Sequence, residues 1–408
     1  MREGWEIKKI GEVCDLMTGG TPSKNKPQYF KDGNIKWLVS GDIHKREILD
    51  CEGRITKEGF ENSNAKYLPV NSVIIALNGQ GKTRGTVALL RTKATCNQSL
   101  VSIYPKKGID LLPEYIFCYL LGKYEEIRKL TGDSGNDRRG LNMPLIRSLE
   151  IPVAPLSEQK RIIGILDEVF VAIDKAKANV EKNLQNAKEL FECYLKSLIN
   201  QNWEPKTLKE ISTEFARGKS KHRPRGDLKL LGGEYPLIQT GDVSNSNHWI
   251  TSFTQTYNKV GLAQSKLWPK GTVCIAIVGS NVAETAILNF DACFPDSIIG
   301  IIVNETLANN EYVEYLLQTF KSILKEKGKG TARDNINMGT FENQKFPFPP
   351  LKIQKEIAQK LNFLSTEIKQ LQYVYQQKLN SLEELKKSIL RKAFVGELTA
   401  ATKTLIHE

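Results

Sequence analysis

Pro347-Phe348-Pro349-Pro350-Leu351-Lys352-Ile353-Gln354-Lys355-Glu356-Ile357 leads into a run that contains no Pro or Gly as far as Phe394. Along that run Leu361, Ile368, Tyr375, Leu382 and Ile389 recur every seven residues, with Ile357, Leu364, Leu371 and Leu385 at the alternate heptad positions. A matching stretch, Pro152-Val153-Ala154-Pro155-Leu156-Ser157-Glu158-Gln159-Lys160-Arg161-Ile162, stands 195 residues earlier. It opens a run to Ile199 in which Leu166, Ile173, Val180, Ala187 and Tyr194 alternate with Ile162, Val169, Ala176 and Leu190. A seven-residue apolar period keeps one seam of a helix against a partner along its whole length. Each run predicts a single helix of roughly 40 residues, about 60 Å long. The prolines forbid helix behind them and force an extended approach, so the helix starts are sharply placed. Ser157 is the expected N-cap of the first.

The similarity extends over the whole chain. Trp5-Glu6-Ile7 through Val13 returns as Trp203-Glu204-Pro205 through Ile211, and Ser40-Gly41-Asp42-Ile43 as Thr240-Gly241-Asp242-Val243. Leu68-Pro69 through Ala76 returns as Trp268-Pro269 through Ala276, and Leu141-Asn142-Met143 as Ile336-Asn337-Met338. Collinear recurrence at a nearly fixed spacing means that one unit is written twice. Each unit holds a globular part followed by a long helix. Within the first globe, Val73–Leu77, Thr86–Leu90 and Leu100–Tyr104 read as short strands bounded by Gly or Pro. Pro113 to Leu130 reads as one amphipathic helix with Tyr115, Ile116, Tyr119, Leu120 and Ile127 on one side. The expected fold class is therefore α+β. Two globes, 1–150 and 201–346, are separated by two long helices, 151–200 and 347–399, with a tail at 400–408. The two apolar seams satisfy each other most simply as an antiparallel pair, with the repeats related by an approximate two-fold axis.

Composition narrows the function. The chain has 408 residues and a formal net charge of +12, so a polyanion is the first partner to consider. Seven scattered cysteines, never spaced C-x-x-C, and four histidines argue against a zinc site or a disulfide framework and for reduced thiols in the cytoplasm. The N-terminus carries no apolar signal segment, and no apolar run is long enough to span a bilayer, so no membrane role is expected.

The catalytic motifs fail one by one. Ala76-Leu77-Asn78-Gly79-Gln80-Gly81-Lys82-Thr83 nearly spells a phosphate-binding loop, but its first Gly is Ala76 and a strand-like run follows instead of a helix. Pro295-Asp296 with Glu305 lacks the lysine of a nuclease carboxylate cluster. A non-catalytic chain is expected, with no cofactor or metal of its own.

What remains is a set of polar, basic loops at matched places in both copies. In the first globe they carry Thr21, Ser23 and Lys24, then Asn78, Gln80, Lys82 and Arg84, then Arg138 and Arg139. In the second they carry Arg217, Lys219, Lys221, Arg223 and Arg225, then Ser280 and Asn281, then Lys327, Lys329 and Arg333. Gly lets backbone approach a phosphate, Lys and Arg neutralise it, and Asn, Gln and Arg match base edges. These residues are the candidate DNA-binding set. Copies that share a scaffold but differ in loop content suit two readers of different targets. The rival reading is a coiled-coil scaffold whose globes bind proteins.

The whole chain resembles the specificity subunit of type I restriction–modification systems. The resemblance rests on Trp5-Glu6 to Val13 leading to Thr18-Gly19-Gly20-Thr21-Pro22-Ser23, on Ile35-Lys36-Trp37-Leu38, on the Pro-Leu-x-x-Gln-x-x-Ile stretches at 155–162 and 350–357, and on Ala393-Phe394-Val395-Gly396-Glu397-Leu398-Thr399. The second copy departs from it at Ala216-Arg217-Gly218-Lys219-Ser220. The resemblance implies two target recognition domains joined by spacer helices and reading a bipartite, asymmetric site in double-stranded DNA. It also implies two partner DNA methyltransferase subunits that bring S-adenosylmethionine and methylate adenine, with two restriction/translocase subunits as further partners.

Overall fold

The computed structural model describes residues 4–79, 81–131, 141–199, 203–222, 224–328, 336, 338–342 and 344–399. It divides into two compact units: one runs to Val180 and resumes at Gln377, and the other is Glu181–Gln376. The two long helices are Leu156–Ile199 and Leu351–Val395. Each unit therefore contains one globe, the start of one long helix and the end of the other.

In the first unit a five-stranded sheet is ordered Cys14–Thr18, Leu100–Pro105, Val73–Ala76, Val87–Leu90, Glu47–Ile48. Every neighbouring pair is antiparallel except the last, which is parallel. Alternate residues point to opposite faces of a strand. One face, with Leu16, Val73, Ile75, Val87, Leu89, Val101 and Ile103, packs on the helix Pro113–Gly122 and on Ile162, Leu166 and Phe170 of the first long helix. The other, with Ile74, Ala76, Ala88, Leu90 and Leu100, packs on Leu38 and Cys96 of a small sheet formed by Arg54–Ile55, Ile35–Leu38 and Thr95–Cys96. Covered on both faces, these strands are continuous apolar runs rather than alternating ones.

The second unit repeats the plan. Its sheet is ordered Ser212–Arg217, Ile298–Val303, Val273–Ala276, Thr285–Leu288, Trp249–Ile250, again with only the last pair parallel. The helix Asn310–Gly328 and long-helix residues Leu195, Ile357 and Leu361 cover one face. A small sheet of four strands, Gln255–Tyr257, Leu231–Leu237, Ala292–Cys293 and Leu267–Trp268, lies beside it.

The repeated sequence signatures acquire physical reasons. Glu6–Lys9 pairs antiparallel with Glu150–Val153, and Glu204–Lys206 with Phe346–Phe348, so each Trp-Glu opening is zipped to the proline approach of its own unit. Tyr115 Oη donates to the Pro152 carbonyl at 2.8 Å and Tyr312 Oη to Pro347 at 2.7 Å. The repeated Gly-Asp is a turn cap: Asp42 Oδ2 accepts from Val39 N at 2.8 Å and Asp242 Oδ2 from Gln239 N at 2.7 Å. In the first unit Phe394 stacks edge-on against Tyr115 and Tyr119, both at 5.1 Å, and Thr399 donates to Glu158. The closing motif is thus an anchor for that globe.

The long helices run antiparallel where they meet. In the first unit Leu390 and Ala393 share a core with Ile162, Leu166 and Phe170, while Lys177 pairs with Glu383. The main heptad rows are buried or half-buried as expected. The second row holds where Ile162 is buried and Val169 and Ala176 are half-buried, and fails only toward the far end of the helix. Phe170, Lys177, Leu184 and Phe191, four residues after the main row, turn inward, whereas Leu190 is 67% exposed. In the later helix Ile357 is buried and Leu364 half-buried, whereas Leu371 and Leu385 are 41% and 46% exposed and Gln372, Leu379, Lys386 and Ala393 turn inward.

Two further expectations are corrected. Pro113 to Leu130 is two helices, Pro113–Gly122 and Tyr124–Leu130, broken at Lys123. A side chain at Gly122 would lie 3.3 Å from Leu390 Cβ, so the second long helix presses on the break. Ser157 is not the N-cap; the helix starts at Leu156, and the Pro155 carbonyl takes the amides of Glu158 and Gln159 at 2.9 and 3.0 Å.

The most consequential side chain is Gln159, which is fully buried. Its Oε1 accepts from Leu112 N at 2.9 Å, and its Nε2 donates to the carbonyls of Asp110 at 2.9 Å and Ala154 at 2.7 Å. Gln354 repeats this with Asn309 N at 2.9 Å, Leu307 O at 3.0 Å and Pro349 O at 2.8 Å. Truncation strands one amide and two carbonyls in a dry site, at a cost of roughly 2–4 kcal/mol. Gln159→Ala and Gln354→Ala should each lower the thermal unfolding midpoint by several degrees, and Gln159→Glu, which keeps the acceptor but loses the donor, should not rescue. Melting curves that superpose on wild type would refute the clamp.

Candidate nucleic-acid interface

The register of the five-stranded sheet decides where the loops emerge. Thr18 faces Val101, Ala76 faces Leu100 and Ile75 faces Val87, so one edge carries the loops 19–26, 77–86 and 97–99. The opposite edge leads from Pro105 into 106–112, the stretch that Gln159 holds. The second globe matches: Arg217 faces Ile299 and Ala276 faces Ile298, which brings 218–227, 277–284 and 294–297 to one edge. Its other edge leads from Val303 to the Leu307–Asn309 stretch that Gln354 holds. Each globe is clamped to a long helix at one edge and displays its polar loops at the other.

In the first globe the loop after Thr18 is fixed by close backbone approach. A Cβ on Gly19 would lie 1.8 Å from the Cys96 carbonyl oxygen, so no other residue fits there. Trp37 Nε1 donates to Gly20 O at 3.0 Å, and Thr21 Oγ1 donates to Gln98 Oε1 at 2.6 Å. Ser23 and Lys24 follow, exposed. The loop 77–86 is pinned by its backbone: Tyr124 Oη donates to Lys82 O at 2.8 Å and Arg128 to Gly81 O at 2.7 Å. That leaves the side chains of Asn78 and Lys82 exposed, with Arg84 half-buried. The next element is the strand Val87–Leu90, so the near-match to a phosphate-binding loop lacks the helix N-terminus that such a loop needs.

In the second globe Lys219 N donates to Phe294 O at 3.1 Å, Lys221 N to Gln264 Oε1 at 2.7 Å and Ser265 Oγ to Lys219 O at 2.8 Å. The backbone of the basic run is held, and the side chains of Arg217, Lys219, Lys221 and Arg225 stand exposed. Two acids absent from that run come to it. Asp227 meets His222 at 2.9 Å, and Asp296 pairs with Arg225. The backbone amide of Lys229, then His222, hold the Asp227 carboxyl below the usual carboxylate range. Ser280 is exposed and Asn281 half-buried in the turn Gly279–Asn281.

Lys24, Lys82, Lys219 and Lys221 pair with no carboxylate among the described residues. Gln80, Arg138, Arg139, Arg223, Lys329 and Arg333 lie outside the described residues, as does the side chain of Lys327. Gln98, with Asn97 beside it, was missed by sequence reasoning. Its only signal is a polar Asn97-Gln98-Ser99 directly before a strand. Cys14, Cys51, Cys96, Cys118, Cys274 and Cys293 are buried in the cores, and Cys193 is exposed on the first long helix. Burial pushes the thiols of Cys14, Cys96 and Cys118 up to about 12, which keeps them protonated. No described helix is long and apolar enough to cross a membrane.

Comparison with known proteins agrees with this architecture. The type I restriction modification DNA specificity domain matches twice, over residues 2–183 and 200–384. The EcoR124I/EcoR124II specificity subunit of Escherichia coli is 27% identical over 204 residues, half of each chain. A putative type I restriction enzyme specificity subunit, MjaX of Methanocaldococcus jannaschii, is 24% identical over 98% of this chain and 95% of its own. Among solved structures, a chain from a study of assembly and conformational transition of the type I R-M system superposes with a TM-score of 0.79 at 19% identity, covering 97% of this chain and 99% of that one. The HsdS subunit from Thermoanaerobacter tengcongensis gives a TM-score of 0.61 at 18% identity, covering 98% of both. With the family's domain matched in each half and its fold shared from end to end, the chain belongs to the type I restriction modification DNA specificity family.

Proposed function

We propose that the chain is the sequence-reading subunit of a type I restriction–modification complex, each globe reading one half of a bipartite, asymmetric site in double-stranded DNA. The observation that carries this is the common loop edge. At the sheet edge opposite the helix clamp the first globe turns exposed lysines and amides outward and the second exposed lysines and arginines, on backbones held by hydrogen bonds. Phosphate contacts need exposed cations and base contacts need oriented amides or guanidinium groups, and each edge supplies both kinds. The loops differ between the copies, so two half-sites of different sequence are expected. A protein-binding scaffold would leave the lysines without a role.

The long helices are the expected docking place for two methyltransferase subunits. In the second unit Phe363, Tyr373 and Leu190 lie exposed on them, large apolar side chains that suit a protein partner. S-adenosylmethionine, adenine methylation and any restriction/translocase subunits belong to those partners, and the chain works in the cytoplasm with them.

Two outcomes follow for the complex with its methyltransferase subunits. DNA affinity should fall steeply with salt, and Lys219→Gln with Lys221→Gln should lower the log–log slope by about 0.9 for each phosphate that is no longer neutralised. A slope equal to wild type would remove that loop from DNA. Exchanging residues 1–150 for the corresponding globe of a relative should change one half-site in methylation-sensitive sequencing and leave the other half-site and the spacing between them as they were. Loss of both half-sites would refute independent reading.

A further inference from the structure

Two loops meet at the displayed edge of each globe: one leaves the first sheet strand, and the other enters the strand Leu100–Pro105 or Ile298–Val303. In the first globe the meeting is the Thr21–Gln98 hydrogen bond at 2.6 Å. In the second it is the Arg225–Asp296 ion pair, with side chains 43% and 40% exposed. The places are topologically equivalent, but the chemistry is not: an amide backed by a hydroxyl in one, a guanidinium backed by a carboxylate in the other.

Neither pair supports the core, yet both stand on fixed backbone. Asn97 N donates to Leu38 O at 3.0 Å, and Leu77 N to Ser99 O at 2.8 Å, on either side of Gln98. Gly218 N donates to Ile298 O at 2.8 Å and Ile277 N to Ser297 O at 3.0 Å around Asp296. Beside Gln98 a concavity of about 550 Å³ opens, with Thr21 and Lys24 on its polar side and the rings of Phe30 and Trp37 on its apolar side. These two rings meet edge to face at 5.8 Å.

Resting on the DNA-reading role proposed above, the geometry points to these pairs as the base-reading groups. Gln98, positioned by Thr21, reads an adenine in one half-site; Arg225, positioned by Asp296, reads a guanine in the other. Adenine presents the N7 acceptor and the N6 donor in the major groove, which the Gln98 Nε2 donor and Oε1 acceptor match together. A carbonyl oxygen has two lone pairs, so Oε1 keeps its bond from Thr21 while it accepts from the base. Guanine would set its O6 against Oε1, acceptor against acceptor. The Arg225 guanidinium suits guanine O6 and N7 with two parallel donors, while Asp296 takes another N–H and fixes the plane of the fork.

The test is selection of duplexes from a randomised pool by the complex of the full chain with its methyltransferase subunits. Wild type should return a consensus with adenine in one half-site and guanine in the other. Gln98→Glu should replace that adenine by cytosine, whose N4 donates to a carboxylate, and Gln98→Ala should flatten the position, preference falling about tenfold or more. Thr21→Val should weaken the same preference without moving it to another base. Arg225→Ala should flatten one guanine and leave the first half-site intact. A consensus identical to wild type from Gln98→Glu and Arg225→Ala, or uniform weakening at every position, would overturn the assignment while leaving DNA reading in place. A wild-type complex that returns no consensus would overturn DNA reading itself.

Discussion

The buried carboxamide of Gln159, with its counterpart Gln354, is the contact on which the arrangement of each unit depends. Apolar burial is strong but has no direction, and a long helix lying on a sheet face could rotate or slide with little loss of buried area. Three directional bonds at 2.7–2.9 Å remove that freedom by tying the first turn of the helix to the proline approach and to the stretch that leaves one sheet edge. Only an uncharged group with both a donor and an acceptor satisfies an amide and two carbonyls there. A carboxylate would bury a charge and lose the donor. Once that edge is fixed to the helix, the opposite edge is fixed as the one that faces outward.

Much of the fold was legible because the duplication and the heptad are long-range statistics that no single side chain can mask. The two corrections on helices have a common physical origin. Residues three and four positions from a heptad row lie about 60° and 40° to either side of it, so periodicity cannot choose between Leu190 and Phe191, or between Leu385 and Lys386. The choice falls to what covers the helix, and the structure accepts Lys177 and Gln372 inside the seam while leaving Leu190 outside it. Likewise the break at Lys123 depends on Leu390, a neighbour far along the chain that local propensity does not see.

The candidate interface was legible in kind but not in detail. Basic and amide-rich loops could be named from sequence, and strand register then gathers the described ones onto one edge of each globe. Their pairing could not be named. Arg225 sits in a run with no acid, and its partner Asp296 arrives from the loop before another strand. Gln98 is one of three polar residues, Asn97-Gln98-Ser99, with nothing to single it out until Thr21 is placed against it. Both are contacts between loops that sequence leaves far apart.

The separation of the two edges also explains how the copies can differ without cost to the scaffold. At the clamped edge the bonds run from side chain to backbone, as with Gln354 to Leu307 and Asn309, so changing the side chain strands buried polar groups. At the displayed edge the loops are held mainly through their own backbones, by Phe294 O, Gln264 and Ser265 in one globe and by Tyr124 and Arg128 in the other. Side chains standing on such a backbone are exposed and contribute little to stability, so substitution there falls mostly within about 0.5 kcal/mol. A globe built this way can exchange Thr21–Gln98 chemistry for Arg225–Asp296 chemistry while keeping the same sheet, the same clamp and the same place on its helix.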